Sequence, residues 1–158
     1  MSEDKDRLVD ITLDEDSLAA QSQGAEHERR IAMFDLMENN AFAIEGKDAG
    51  PYKLFLSTQD GRLVFDVQSE DGAKVLTHQL SLAPFRRLIK DYFLICESYY
   101  AAIRDAPPAQ IEAIDMGRRG LHNEAGDTLV DALDGVVRMD HETARRLFTL
   151  ICALHTRA

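Results

Sequence analysis

Ten consecutive residues, Asp115-Met116-Gly117-Arg118-Arg119-Gly120-Leu121-His122-Asn123-Glu124, hold the densest group of side chains able to do chemistry in this sequence. On a helix, spacings of three and four place Asp115, Arg118, Arg119 and His122 on one face, with Asn123 and Glu124 extending the cluster. Two adjacent guanidiniums can grip a phosphate or carboxylate bidentately, and an imidazole beside them can move a proton near neutral pH. The same residues support a structural reading. Arg–Asp pairs fix one helix against another, and Gly117, Gly120 and Gly126 let two backbones approach closely. The residue types leave both readings open.

Other chemistries find less support. His122-Asn123-Glu124 matches the H-x-E half of a zinc-deaminase signature, but the P-C-x-x-C half is missing. No H-E-x-x-H, P-loop, G-x-S-x-G or dinucleotide glycine fingerprint is present. His78, His141 and His155 each stand without a second histidine at ligand spacing, so neither a metal nor a cofactor is assigned. Glu26-His27-Glu28-Arg29-Arg30 reads as a solvated helix start, where acidic groups suit the helix dipole. Tyr99 and Tyr100 read as core aromatics at helical spacing, with pocket lining as the alternative.

The elements that must position these residues are set by periodicity. Tyr52–Leu56, Leu63–Val67 and Val75–Leu80 alternate as strands and are separated by Asp60-Gly61 and Asp71-Gly72, strong hairpin signals. Residues 8–13 alternate well enough to pair as an edge strand, and Met1–Arg7 reads as a mobile arm. From Glu26 the pattern is helical, with Ile31, Phe34, Leu36 and Met37 as a docking face up to Asn39 and Asn40. Residues 82–104 carry Phe85, Leu88, Ile89, Tyr92, Cys96, Tyr99 and Ile103 on a stripe that Phe93, Leu94, Ile95 and Tyr100 widen. Such width predicts a helix central to the core or shared with a partner. Pro107-Pro108 ends it and opens the next helix. There the three glycines, each costing about 1 kcal/mol relative to alanine, predict a kink or break. Asp140 is the expected N-cap of a last helix facing inward through Ala144, Leu147, Phe148, Ile151 and Leu154.

A chain of 158 residues, 45% hydrophobic and 29% charged, is large enough to bury one core. The formal charge is −10, and residues 1–28 hold nine carboxylates and two cations, leaving −3 for the remainder. A local basic cluster on that near-neutral body can still attract phosphate. No apolar run is long enough to span a membrane, and the acidic opening is unlike a signal peptide, so a cytoplasmic protein is expected. Cys96 and Cys152 lie in apolar helical patterns and read as buried free thiols.

Several long words also resemble a known family. Gly61-Arg62-Leu63-Val64-Phe65-Asp66, Lys90-Asp91-Tyr92-Phe93, Ile95-Cys96-Glu97-Ser98-Tyr99-Tyr100, the stretch Ile111–Glu124 and Thr143–Cys152 are similar to the bacterial uncharacterised protein family (UPF) 0262. The resemblance runs from about the first helix to the C-terminus. It implies a bacterial cytoplasmic protein and transfers no catalytic role to any residue. Arg118 and His122 also resemble, more loosely, the Arg-to-His arrangement of HEPN ribonucleases, from which the shorter gap and the strands depart.

Taken together, the residues predict an α+β protein: a three- or four-stranded antiparallel meander packed on a long central helix and about three further helices. Residues 1–25 are an acidic arm and 26–158 one domain. The expected role is a non-catalytic interaction or regulatory module that self-associates, with an unknown protein partner. The alternative is a small enzyme or binder acting on a phosphorylated ligand or RNA through the Arg/His cluster.

Overall fold

The computed structural model of the protein describes residues 5–14 and 23–154. Much of the acidic arm, and His155, lie outside the described residues. Alternation produces the strands β1 (Leu8–Leu13), β2 (Phe42–Ile44), β3 (Tyr52–Gln59), β4 (Arg62–Ser69), β5 (Lys74–Ser81) and β6 (Val137–Met139). The helices are α1 (Gln23–Glu38), α2 (Arg86–Asp105), α3 (Pro108–Ala132) and α4 (His141–Ala153), with a 3-10 turn at Ala83–Phe85 ahead of α2. The α+β class follows.

The main sheet has the order β1-β3-β4-β5, and β2 pairs with β6 in a separate ribbon. β3, β4 and β5 form the antiparallel meander, whereas β1 runs parallel to β3. A parallel neighbour needs a crossover, which α1 and β2 supply. At the β3–β4 hairpin Gln59 pairs with Arg62, and both turn residues have positive φ, 53° at Asp60 and 76° at Gly61. That is the conformation a two-residue turn needs to match strand twist, and Asp-Gly adopts it readily.

Strand alternation sends Tyr52, Leu54, Leu56, Leu63, Phe65 and Val67 into the core, where all six are buried. Each such side chain stabilises the fold by roughly 1.5–3 kcal/mol relative to exposure. The most completely enclosed helix is α4, whose Ala144, Leu147, Phe148, Leu150, Ile151 and Cys152 are all fully buried. It packs against both α1 and α3, and the Asp140 carboxylate caps it by accepting from the Thr143 N–H at 2.9 Å. Both cysteines are free and buried. No described helix is long and apolar enough to cross a membrane.

Three local expectations are corrected. Helix α3 runs through Gly117, Gly120 and Gly126 without a break, because packing along its length outweighs the glycine penalty. A Cβ on Gly126 would come within 2.8 Å of the Arg145 side chain, so this glycine sets the close approach of α3 and α4. Helix α1 buries Ala25, Ala32 and Leu36, and leaves Ile31, Phe34 and Met37 exposed, Phe34 at 65%. The small alanines let α1 lie close to α4, which turns its larger apolar residues outward. On α2 the buried residues are Leu88, Ile89, Tyr92, Phe93, Cys96 and Ala102. Leu94 and Ile103 are exposed, and nine residues of helix place them on opposite sides of it.

Candidate functional site

A cleft of about 410 Å³ opens between α1, α3 and α4, lined by Glu28, Ile31, Ala32 and Asp35 of α1, Arg118, Arg119 and His122 of α3, and Glu142, Arg145, Arg146 and Thr149 of α4. The uninterrupted helix makes this possible. Its three- and four-residue spacing brings Arg118, Arg119 and His122 to one mouth, as the sequence pattern anticipates.

The two adjacent arginines are held differently. Arg118 is 21% exposed and bonds in two directions, from Nη1 to Glu28 Oε1 at 2.7 Å and from Nη2 to Asp115 Oδ1 at 2.8 Å. Its guanidinium also lies 4.5 Å from the centre of the Tyr99 ring, a cation–π contact. Glu28 accepts a further bond of 2.8 Å from the Tyr100 hydroxyl, so α1, α2 and α3 meet in one polar network. Arg119, by contrast, is 71% exposed and pairs with the second oxygen of Asp115, at 2.8 Å. The Arg118 hydrogen bond holds the Asp115 carboxyl below its ordinary range, keeping it ionised.

His122 sits at the back of the cleft, 9% exposed. Its ring meets Tyr92 and Phe148 edge to face, with centroids 5.6 and 6.2 Å away. Burial pulls its pKa down to about 4; Glu28 opposes that shift, and Arg145 and Arg118 reinforce it. The imidazole is therefore neutral at physiological pH. This does not match the near-neutral proton carrier that its residue type suggests. Tyr100 is shifted the opposite way, pushed up by burial and by its bond to Glu28, and stays protonated.

On the α4 side, Arg145 Nη1 bonds Glu142 Oε1 at 2.7 Å, and Arg146 reaches Glu142 Oε2 at 3.5 Å and the Asn39 carbonyl at 3.4 Å. Asn123 and Glu124 belong elsewhere. Glu124 is paired with Arg87 across the α2–α3 groove, and the Asn123 carbonyl faces His141 Nε2 at 3.1 Å. Glu28, Glu142, Arg145 and Arg146 are site residues that the sequence pattern does not single out. Glu28 reads as part of a solvated helix start, but its side chain is 12% exposed. A usable signal for the others was the Arg145-Arg146 pair beside a fully apolar stripe, repeating the Arg118-Arg119 arrangement. No cluster of three potential metal ligands exists among the described residues.

The model of the Uncharacterised protein family (UPF0262) matches residues 5–157. The chain belongs to this family. A UPF0262 protein of Agrobacterium fabrum is 58% identical over 151 residues, 96% of each chain. One from Nitrobacter winogradskyi is 58% identical over 149 residues, covering 94% of this chain and 89% of its own. One from Rhizobium meliloti is 57% identical over 151 residues, covering 96% and 95%. All are bacterial proteins. No solved structure matches the chain. The family name carries no activity to this chain, so the cleft is read from its own geometry.

Proposed function

We propose that this UPF0262 protein is a non-catalytic binding module whose α1–α3–α4 cleft takes a small phosphate- or carboxylate-bearing anion. The observation that carries the reading is the convergence of four guanidiniums, Arg118, Arg119, Arg145 and Arg146, on one concave surface of a chain with net charge −10. Glu28, Asp35 and Glu142 also line it. Glu28 and Glu142 orient arginines, and with Asp115, bound to Arg118 and Arg119, these carboxylates offset much of the guanidinium charge. Arg119 has donors to spare, since one carboxylate oxygen occupies only part of its fork.

Binding is favoured over catalysis by the state of His122, which is buried, neutral and wedged between two rings. A useful general acid–base group has a pKa near the working pH and reaches its substrate. A small anion is favoured over RNA because the arginines form one compact group. Nucleic-acid surfaces spread basic residues along a stripe and interleave stacking aromatics.

Titration calorimetry with phosphate, pyrophosphate, citrate and a single-stranded RNA oligomer tests this on wild type and Arg119→Ala. Saturable binding of a small anion is expected, weakened about tenfold or more in Arg119→Ala while its melting midpoint stays within a degree or two. Absence of binding to every small anion at millimolar concentration, in folded wild-type protein, would refute the reading. Tighter binding of the RNA oligomer would favour the nucleic-acid alternative.

A further inference from the structure

The two edges of the main sheet are built differently. At the β1 edge, the outward backbone groups of Leu8 are both taken by Asn40, whose Oδ1 accepts from the Leu8 N–H at 2.7 Å while its Nδ2 donates to the Leu8 carbonyl at 3.0 Å. The strand is irregular between Leu8 and Asp10, and the exposed Asp10 adds a carboxylate beside that irregularity. Side-chain caps, charges and irregular register are devices that keep an edge from pairing with another chain.

At the β5 edge these devices are confined to one end. Lys74 and a register shift stand beside the turn, and from Val75 to Ser81 there is no Asp, Glu, Lys, Arg, Pro or Gly. β5 is the last strand of the sheet, so its outer row of N–H and C=O groups pairs with none of the described strands. Its core-facing residues, Leu76, His78 and Leu80, lie opposite Val67, Phe65 and Leu63 of β4. The last three are fully buried, yet Leu76 and His78 are only half-buried because none of the described strands continues the sheet beyond them.

We infer that β5 pairs antiparallel with β5 of a second copy, joining two four-stranded sheets across a two-fold axis. An axis perpendicular to the sheet keeps each residue on its own face only if it passes through a residue position, because side chains alternate with period two. Centring on His78 sets Leu76 opposite the second copy's Leu80 and Leu80 opposite its Leu76, which continues the apolar inner face. Centring on Thr77 would instead set Lys74 against Leu80. The strand is nearly uncharged and therefore self-complementary, which a second copy satisfies directly. A two-fold contact uses up the β5 edge of both copies and so closes as a dimer instead of propagating as a fibre, and the β1 edge is capped at Leu8.

Light scattering of the full chain at tens of micromolar is expected to read twice the 17.7 kDa chain mass. Thr77→Lys and His78→Lys each set lysines together near the axis and should weaken the dimer at least tenfold, with unchanged circular dichroism. As a measurement that does not depend on those variants folding, His78→Cys should be cross-linked between chains by a short bis-maleimide, and Thr12→Cys on the β1 edge should not. The native cysteines are buried and serve as the background in wild type. A mass equal to one chain, a dimer indifferent to both lysines, or cross-linking at position 12 in place of 78 would each overturn the inference.

Discussion

The inner and outer faces of α3 are made from neighbouring residues and obey opposite rules. On the inner face Arg118 is clamped by two carboxylates, His122 is wedged between two aromatic rings and Gly126 lies tight against α4. Arg119, at the rim of the same cleft, and Met116 on the outer face are largely exposed, and a Cβ on Gly120 would meet no atom within 4 Å. Adjacent residues of one type, Arg118 with Arg119, are thus assigned different work by a rotation of about 100° around the helix. The inner member stabilises and positions; the outer one is left to meet a ligand.

The largest expected effect that would test this division is the pH dependence set by His122. Its folded pKa of about 4 lies below its ordinary value of 6.5, so between those values the unfolded chain binds the extra proton. Stability is therefore complete above about pH 6.5 and falls as the pH drops toward 4, by as much as about 3 kcal/mol. Asp115, held below 3.8, keeps its own contribution until still lower pH. Urea denaturation from pH 7.5 to 4 should show the loss in wild type and a clearly shallower one in His122→Gln. Equal slopes would mean that His122 is solvated and titrates normally.

Next in size is removal of the clamped arginine. Arg118→Ala leaves Glu28 and Asp115 without their shared cation beside the Tyr100 hydroxyl, and should destabilise the fold by about 2–3 kcal/mol. The exposed Arg119→Ala should change stability by no more than about 0.5 kcal/mol. A double-mutant cycle of Arg118→Ala with Glu28→Gln should return a coupling of about 1 kcal/mol or more. If thermal melts place the two arginine variants together, the inner and outer faces are not distinct.

The distinction was half visible in the sequence. Spacing alone brought Asp115, Arg118, Arg119 and His122 together, and alternation with Asp-Gly turns marked the meander, because both signals are local. Glu28 was not legible as a site residue: its burial comes from α2 and α3, which supply Tyr100 and Arg118 from 72 and 90 residues away. The parallel pairing of β1 is hidden for the same reason, since an alternating strand reads identically in either direction. The α1 face runs against its sequence pattern, in which side-chain size suggests Ile31 and Phe34 as anchors. Close helix packing instead selected Ala25 and Ala32. Gly117, Gly120 and Gly126 looked equivalent as helix breakers, and only the neighbouring helices distinguish them.

That difference gives the smallest and most discriminating prediction. Gly120 and Gly126 share one helix, and alanine at either position recovers the same helix propensity, about 1 kcal/mol, by restricting the unfolded chain. At Gly120 the new methyl enters open space, so Gly120→Ala should raise stability by about 0.5–1 kcal/mol. At Gly126 the methyl would lie 2.8 Å from Arg145 Cγ and 2.9 Å from His141 Nε2, forcing both side chains to move. The strain of such a shift is about 1–3 kcal/mol and outweighs the propensity gain, so Gly126→Ala should be net destabilising. Its displacement of Arg145 also reaches the cleft, which Gly120→Ala leaves alone on the packing seen here. Melting midpoints that move in opposite directions support the two-faced helix; midpoints that rise together would show that the α3–α4 approach is looser than these distances require.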